Sequence, residues 1–417
     1  MNIQLPIPVY DISYYDLVNA ENSLVNYVKH LNLGRIERAI EKYYSGRGPK
    51  GFRKISFFLL DLFKFKKNIS SNRKLIEEIH QSKVLQHLAF LAFKERRRYK
   101  RKNIIPTHQM ISAYHDKLSI DGFRELLALS VEEANELGLL APSTSQYRKG
   151  IHLAQDSTFI PAKITVKRFS KNETMFPKVS FGRSHKYKLP LGHRIHWLIT
   201  VPHRIVVNCM LEKASRQDFN LTIPMLEGFL VKHKIKIAYH IGDKGYSDDE
   251  TRDYLLKEHG ILGIYPIKEN AKFSDNFNAN GWPVCPHGYP LKRKGSDYKR
   301  QRTQYYCQRQ CKKDRKIMSL CEHYHSQKTQ GYTFYTHFDN GLGKFGPIHQ
   351  KSTRFEKLYK TRTLTEQINS LIKCIRYHFE ENLTATDSQE VEIQMLLCAI
   401  VLNYDEIVKE RIRLGKN

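Results

Sequence analysis

The chain has 417 residues, 41% of them hydrophobic, and a formal charge of +27 from 69 Lys+Arg against 42 Asp+Glu. That is more chain than one ordinary core holds, so two or three domains are expected. So large a basic excess repels itself unless it meets a polyanion, which points to nucleic acid ahead of an anionic membrane or a merely basic soluble protein.

The opening residues, MNIQLPIP, lack a basic segment followed by an apolar run, so no signal peptide is expected. The most apolar stretch, Phe57–Phe65, is too short to span a bilayer and holds Asp61 and Lys64. No membrane partner is expected. A reducing interior follows, with the seven cysteines as thiols or metal ligands rather than disulfides.

Residues 1–145 read as an all-helical domain. Apolar side chains recur at three- and four-residue spacing over Arg35–Tyr44, Phe52–Phe65, Arg73–Ile79, Pro106–Leu118 and Phe123–Leu137. Pro106 and Thr107 suit a helix start. The basic run Lys94–Lys102 is a solvated loop or helix face, or a contact for phosphate. These helices are expected to recognise DNA, as a helix-turn-helix-like pair would. Ala141–Tyr147 has linker composition.

Beyond the linker the pattern changes to strands. Ile151–Ile160, His196–Val201, Ile205–Met210, Ile235–Ile241 and Ile261–Ile267 read as strands, and Phe219–Val231 and Ser247–Lys257 as helices, the latter with Ser247 and Glu250 as a capping box. Three successive strands followed by alternation with helices predict a mixed sheet with helices packed on it. Residues 149–269 are the first part of this α/β core. Residues 270–350 break the rhythm as a basic, cysteine-bearing insertion; Lys292–Lys316 alone holds eleven Lys/Arg and two Asp. Residues 351–417 return to the core as helices, with a strong one over 363–380.

Three acids stand where phosphoryl-transfer chemistry would want them. Asp156 lies within the first strand. Asp243 lies just past the end of an apolar strand, flanked by Gly242 and Gly245, which would let the backbone turn sharply. Glu366 lies in the first turn of the helix after the insertion. Carboxylates suit Mg²⁺, a hard cation that keeps oxygen ligands, and a pair of such ions about 3.5–4 Å apart can serve both the attacking and the leaving oxygen. Taken singly, Asp156 fits a strand-end turn, Asp243 an Asx turn, and Glu366 a capping box with Thr363. Taken together in this strand order they favour a metal site. Tyr359, Arg362, Glu366 and Lys373 fall on one narrow face of a helix, beside an apolar stripe of Leu364, Ile368, Leu371, Ile372, Ile375 and Phe379. The competing reading of that face is a solvated Arg362–Glu366 pair.

The spacing Tyr359-x2-Arg362-x3-Glu366-x6-Lys373 resembles the Y-R-E-K signature of a group of bacterial insertion-sequence transposases of the DDE type. Asp156-Ser-Thr and Asp243-Lys-Gly-Tyr246 resemble the settings of the group's two Asp residues, and the resemblance covers essentially the whole chain. It implies an RNase H-like core, two divalent metals (normally Mg²⁺, with Mn²⁺ able to substitute) and cleavage at the element's ends by water. Attack of the freed 3′-hydroxyl on target DNA would follow. By position it makes Asp156, Asp243 and Glu366 the metal ligands and catalytic residues, and Tyr359, Arg362 and Lys373 contacts to terminal DNA. Terminal inverted repeats and target DNA become the partners, with a homodimer on DNA in a bacterial, nucleoid-associated setting. Alternatives are a catalytically silent or domesticated DNA-binding protein, or a non-transposing nuclease, on the same core. Group members often carry a β-rich insertion, whereas this one carries cysteines. Base-flipping or hairpin chemistry is therefore not carried over, although Trp282 is available for stacking.

The insertion brings Cys285, Cys307, Cys311 and Cys321 together with His287 and His323 within about forty residues, a donor set that suits tetrahedral Zn²⁺ as well as it suits incidental thiols. A segment so polar is not expected to build a core of its own, so a metal would explain its order. Cys209, Cys374 and Cys398 fit apolar faces as packing residues. His185, His193, His196 and His240 are expected to be packed or surface imidazoles without a catalytic role.

Overall fold

The computed structural model describes residues 22–44, 52–91, 105–141, 147–182, 190–267, 272–309, 315–323, 331–375, 378–383 and 385–415. The basic run at 94–102, Cys311, His185 and most of the predicted linker lie outside them.

Helices α1 (Asn22–Lys29), α2 (Leu33–Glu41), α3 (Lys54–Lys66), α4 (Asn72–Gln81), α5 (Lys83–Leu88) and α6 (His108–Glu136) form the N-terminal region. Side-chain caps start four of them: Asn32, Ser71, Ser82 and Thr107 each accept an amide of the first turn. The two helices expected around Pro106–Leu137 are one run kinked at Ser119, whose φ of +58° breaks the helix where the apolar pattern slips. Helices α1 and α5 carry too few residues for periodicity to reveal them.

The sheet comprises β1 (Ile151–Pro161), β2 (Ser180–Phe181), β3 (Leu191–Val201), β4 (Val206–Lys213), β5 (Ile237–Ile241) and β6 (Leu262–Ile264). A short helix, α7 (Val166–Lys171), lies between β1 and β2; α8 (Thr222–Lys232) and α9 (Asp249–His259) follow β4 and β5. Strand β3 pairs antiparallel with β1 along one edge and with β2 and β4 along the other; β5 and β6 join parallel to β1. The result is a mixed sheet flanked by helices, with three antiparallel strands feeding a parallel pair, as in an RNase H-like core. Every residue of β5 is buried, as a strand covered on both faces requires. Helix α9 is capped by Asp248, which accepts the Thr251 amide, and not by Ser247, whose hydroxyl is engaged by Arg252.

Gly192 in β3 marks the tightest crossing of the sheet. A Cβ there would sit 2.4 Å from both the Ile160 carbonyl oxygen and the Phe159 ring of β1. Gly192→Val should therefore cost about 1–3 kcal/mol through overpacking. Thermal unfolding of the variant checks this, and an unchanged midpoint would contradict it.

Within the insertion, β7 (Lys292–Asp297), β8 (Arg302–Tyr306) and β9 (Thr333–His337) form a separate antiparallel sheet, with α10 (Arg315–Leu320) between β8 and β9. The expectation of a coreless segment is corrected here. Cys285, Leu291 and Tyr305 are buried together, with Trp282, Tyr289, Tyr332 and Phe334 packed against them. Aromatic residues, which a polarity average conceals, supply that core. Trp282 is engaged within it, donating its indole N–H to the Leu291 carbonyl and lying edge-on to His349.

The chain closes with α11 (Leu342–Phe345), α12 (Thr353–Lys360), α13 (Thr363–Ser370), a π-helical turn at Leu371–Ile375, α14 (Phe379–Asn382) and α15 (Ser388–Arg413). The single helix expected over 363–380 is thus broken. Helix α15 packs along α6 and against β4, and one hydrophobic core runs from the N-terminal helices through the sheet to α15. Asn403 of α15 accepts the Val206 amide at 2.7 Å and donates to its carbonyl at 2.8 Å, which satisfies backbone groups on β4. Cys209 and Cys398 are buried in this core as packing residues; the side chain of Cys374 lies outside the described residues.

Candidate active site

Register brings the first two acids together. In the parallel pair β1 and β5, Ala154 stands opposite Ile241. Asp156 and Asp243 each lie two residues farther on, so they stand level on neighbouring strand paths, which are about 4.8 Å apart, Asp156 within β1 and Asp243 just past the end of β5. Asp156 is partly exposed at its strand position, and burial of its carboxyl pushes its pKa up to about 6. The Ser157 amide and the Arg362 guanidinium favour its charged form, whereas Asp243 and Asp218 repel it.

Asp243 does form the Asx turn expected of it singly: its Oδ1 accepts the Gly245 amide at 2.7 Å. The neighbouring glycines serve closeness rather than a left-handed turn. Neither has a positive φ. A Cβ on Gly242 would meet the Tyr246 ring at 2.9 Å, and one on Gly245 would meet Asp243 Oδ1 at 2.9 Å.

Helix α13 is laid on Asp156 by two polar side chains one turn apart. Asn369 donates to Asp156 Oδ2 at 3.1 Å, and the Thr365 hydroxyl lies 3.4 Å from the same oxygen. Glu366 follows Thr365, so its backbone is beside Asp156. Its side chain is 53% exposed and bridged to Arg362. It does not cap the helix with Thr363, whose hydroxyl turns to the Lys360 carbonyl. Among the described residues no group of three or more His, Cys, Asp or Glu is gathered closely enough to hold a metal ion as it stands.

Arg362 also lies 5.7 Å from the Tyr359 ring centroid, so Tyr359, Arg362 and Glu366 form one contiguous row. Lys373 leaves the row. The π-helical turn at Leu371–Ile375 adds a residue to the turn and rotates the succeeding side chains off the common face, and Lys373 lies 3.9 Å from Glu380. The expected four-residue face is therefore a three-residue face.

A fourth acid, Asp218, was missed in the sequence. Its Oδ1 accepts the Ser157 hydroxyl at 2.9 Å and lies 3.5 Å from Arg194 Nη1 and 3.7 Å from His196 Nδ1. Burial raises its pKa, Arg194 opposes the rise, and Asp243 adds to it. The signal was available in the topology. Antiparallel to β3, β4 ends on the same side as the C-terminal end of β1, and Asp218 follows a few residues later. His193, His196 and His240 are buried, and burial lowers the pKa of each, so they are packed neutral imidazoles.

The donor chemistry fits divalent cations: hard carboxylate oxygens converge on one sheet end, and their mutual repulsion is what a cation relieves. Residues 148–404, more than half of the chain, match the transposase DDE domain family. The chain belongs to that family. A search of curated proteins gives no match. Among solved structures, the cryo-EM structure of the piggyBac transposase synaptic complex with hairpin DNA is similar at 9% identity and a TM-score of 0.38, over 96% of this chain and 78% of that one. A likeness of that size decides nothing about the site. The family membership agrees with a transposase reading of the acids. Among the described residues of this DDE-family chain, no helix is long and apolar enough to cross a membrane.

Proposed function

We propose that the chain is a transposase of the Y-R-E-K group that cleaves and transfers DNA strands at the inverted-repeat ends of its own bacterial insertion sequence. The observation that carries this is the equal register of Asp156 and Asp243, with α13 hydrogen-bonded onto Asp156 through Thr365 and Asn369, on either side of Glu366. Asp156, Asp243 and Glu366 would hold two Mg²⁺ ions, with Mn²⁺ able to replace them. When bound, such ions supply an activated attacking oxygen and a neutralised leaving oxygen.

The chain's own residues do the positioning. Asn369 and Thr365 fix the orientation of the Asp156 carboxylate. The Gly245 amide fixes that of Asp243. Release of Glu366 from Arg362 would turn the carboxylate toward Asp156 and free the guanidinium for a DNA phosphate, while the Tyr359 ring beside it offers a face for a terminal base. Lys373, about two turns beyond Glu366, would contact the backbone farther along. Asp218 is a positioning residue, since it holds Ser157, the neighbour of Asp156. The exposed Lys292, Lys294, Lys299 and Arg300 of the insertion give it a basic edge for DNA. Synapsis of two ends implies a homodimer on DNA.

The test is incubation of the purified chain with DNA bearing the repeats that bracket its gene, in Mg²⁺, in Mn²⁺ and in EDTA. Metal-dependent nicking at the ends and joining of those ends to a target plasmid are expected. Binding without nicking would instead support a catalytically silent DNA-binding protein. Nicking without joining would support a nuclease. Asp218→Asn should slow nicking about 10- to 100-fold, the range for groups that orient metal ligands, with DNA affinity unchanged. Full activity in that variant would remove Asp218 from the site.

A further inference from the structure

The thiols of the insertion have no part in strand chemistry, yet they converge. Cys285, Cys307 and Cys321 line a single cavity together with His287, Arg309 and His323. They come from three separate pieces of chain: the turn before β7, the end of β8 and the residue after α10. None is in a disulfide, and Cys285 and Cys321 are each only 7% exposed.

Two of the three sit in tight turns. After Cys285, the Pro286-His287-Gly288 turn closes with the Gly288 amide donating to the Cys285 carbonyl at 2.8 Å, at a Gly288 φ of +80°. At Cys307, the amide of Arg309, two residues on, donates to the sulfur itself at 3.2 Å. That N–H orients the Cys307 sulfur, and the Arg309 side chain lines the same cavity. The three cysteines thus converge on one cavity of a small basic module, where Cys285 and Cys307 also pack against its aromatic core.

We propose that the insertion is a zinc module in which Cys285, Cys307 and Cys321 bind one Zn²⁺ as thiolates. The fourth donor is His287 or His323, both of which line the same cavity. Zinc matches the chemistry: soft sulfur ligands, four-coordinate and closed, with Zn–S bonds of about 2.3 Å. The donors presently line a cavity and do not form a finished cage, since no three among the described residues stand within reach of one ion. Binding releases the thiol protons to solvent. The module docks on the chain that leads into α12: His349 Nε2 lies 2.8 Å from the Gly281 carbonyl, and Arg293 donates to the Pro347 carbonyl at 2.8 Å. The ion thus steadies the approach to Tyr359, Arg362 and Glu366.

The experiment is elemental analysis of the full chain, purified under reducing conditions without added chelator, paired with Co²⁺ substitution. One zinc per chain is expected, with the thiolate-to-cobalt charge-transfer absorption and tetrahedral d–d bands on substitution. Cys285→Ser and Cys321→Ser should each bring zinc to background, whereas Cys209→Ser should leave it at one per chain. His287→Ala and His323→Ala decide the fourth donor by which of them loses the tetrahedral cobalt spectrum, and Cys311→Ser should keep it. Should a variant fail to fold, thiol titration of the native chain substitutes: zinc should protect three thiols from a soluble disulfide reagent, and a chelator should expose them. Background zinc in the native chain, zinc indifferent to Cys285→Ser and Cys321→Ser, or thiols equally reactive with and without zinc would each overturn the proposal. None of these readouts requires strand cleavage, and Asp243→Asn should retain its zinc, so this inference and the transposase reading fail separately.

Discussion

Asp243→Asn is expected to abolish strand cleavage while leaving the fold and DNA binding in place. The replacement is nearly isosteric, and its amide oxygen can still accept the Gly245 amide that Asp243 Oδ1 accepts at 2.7 Å, so the turn survives. What is lost is the negative charge and one hard-oxygen ligand at the point where β5 brings it level with Asp156. Stabilisation of the phosphoryl-transfer transition state by bound metal is worth several kcal/mol, and a loss of about 4 kcal/mol is roughly a thousandfold in rate. Single-turnover nicking of end-containing DNA measures the rate, and a gel-shift titration of the same DNA measures binding. Nicking within about tenfold of the parent, about 1.4 kcal/mol, would exclude Asp243 from the chemistry. A parallel loss of binding would mean that the residue is structural.

The second large effect is on stability. His115→Leu should cost about 3–5 kcal/mol, the range for removing one partner of a buried ion pair. His115 of α6 reaches both carboxylate oxygens of Asp61 in α3, at 3.1 and 3.0 Å, and its other ring nitrogen lies 3.5 Å from Glu390 of α15. Asp61 and His115 are each 1% exposed. Burial alone would discharge the imidazole; the Asp61 and Glu390 carboxylates overcome it and push the His115 pKa up to about 10. Because the folded value lies above the ordinary 6.5, the stabilisation is complete below about pH 6.5 and is lost as pH rises toward 10. Urea unfolding of the parent should therefore show stability falling across that interval, and His115→Leu should flatten the fall. The double variant Asp61→Leu/His115→Leu should recover much of the loss, since the buried Asp61 carboxylate is removed and the Glu390 carboxylate that remains is 31% exposed and hydrogen-bonded by Gln394. A single variant as stable as the parent, or a double variant no better than the single, would contradict this account.

These two sites differ in how far they could be read from the sequence. Asp156 and Asp243 were legible because alternating apolar residues located β1 and β5, and strand ends are where an open sheet gathers ligands. Asp218 was not, since it sits in a 3-10 turn that no periodicity marks and gains its meaning only from the antiparallel path of β4. The His115–Asp61 pair was equally hidden: each residue looks like a polar interruption in an apolar helix, and 54 residues separate them. The kink at Ser119 was readable as a gap between two helices. The π-helical turn at Leu371–Ile375 was not, because its composition is that of an ordinary α-helix, and so Lys373 was placed on a face it does not share. In the insertion, the count of charges concealed aromatic residues spaced at strand register. Tyr305 pairs with Arg293 on one side and with Phe334 on the other, and that is enough for a small sheet.

The most direct test of convergence of the acids on metal is cleavage of the polypeptide by the metal itself. Fe²⁺ is bound in place of Mg²⁺ in the chain's complex with its end DNA, and ascorbate and peroxide generate hydroxyl radical at the site. Backbone cuts are expected close to Asp156, Asp243 and Glu366, all suppressed by excess Mg²⁺ and absent in Asp243→Asn. Cuts at only one of these segments, or a pattern that Mg²⁺ and Asp243→Asn leave unchanged, would contradict that convergence.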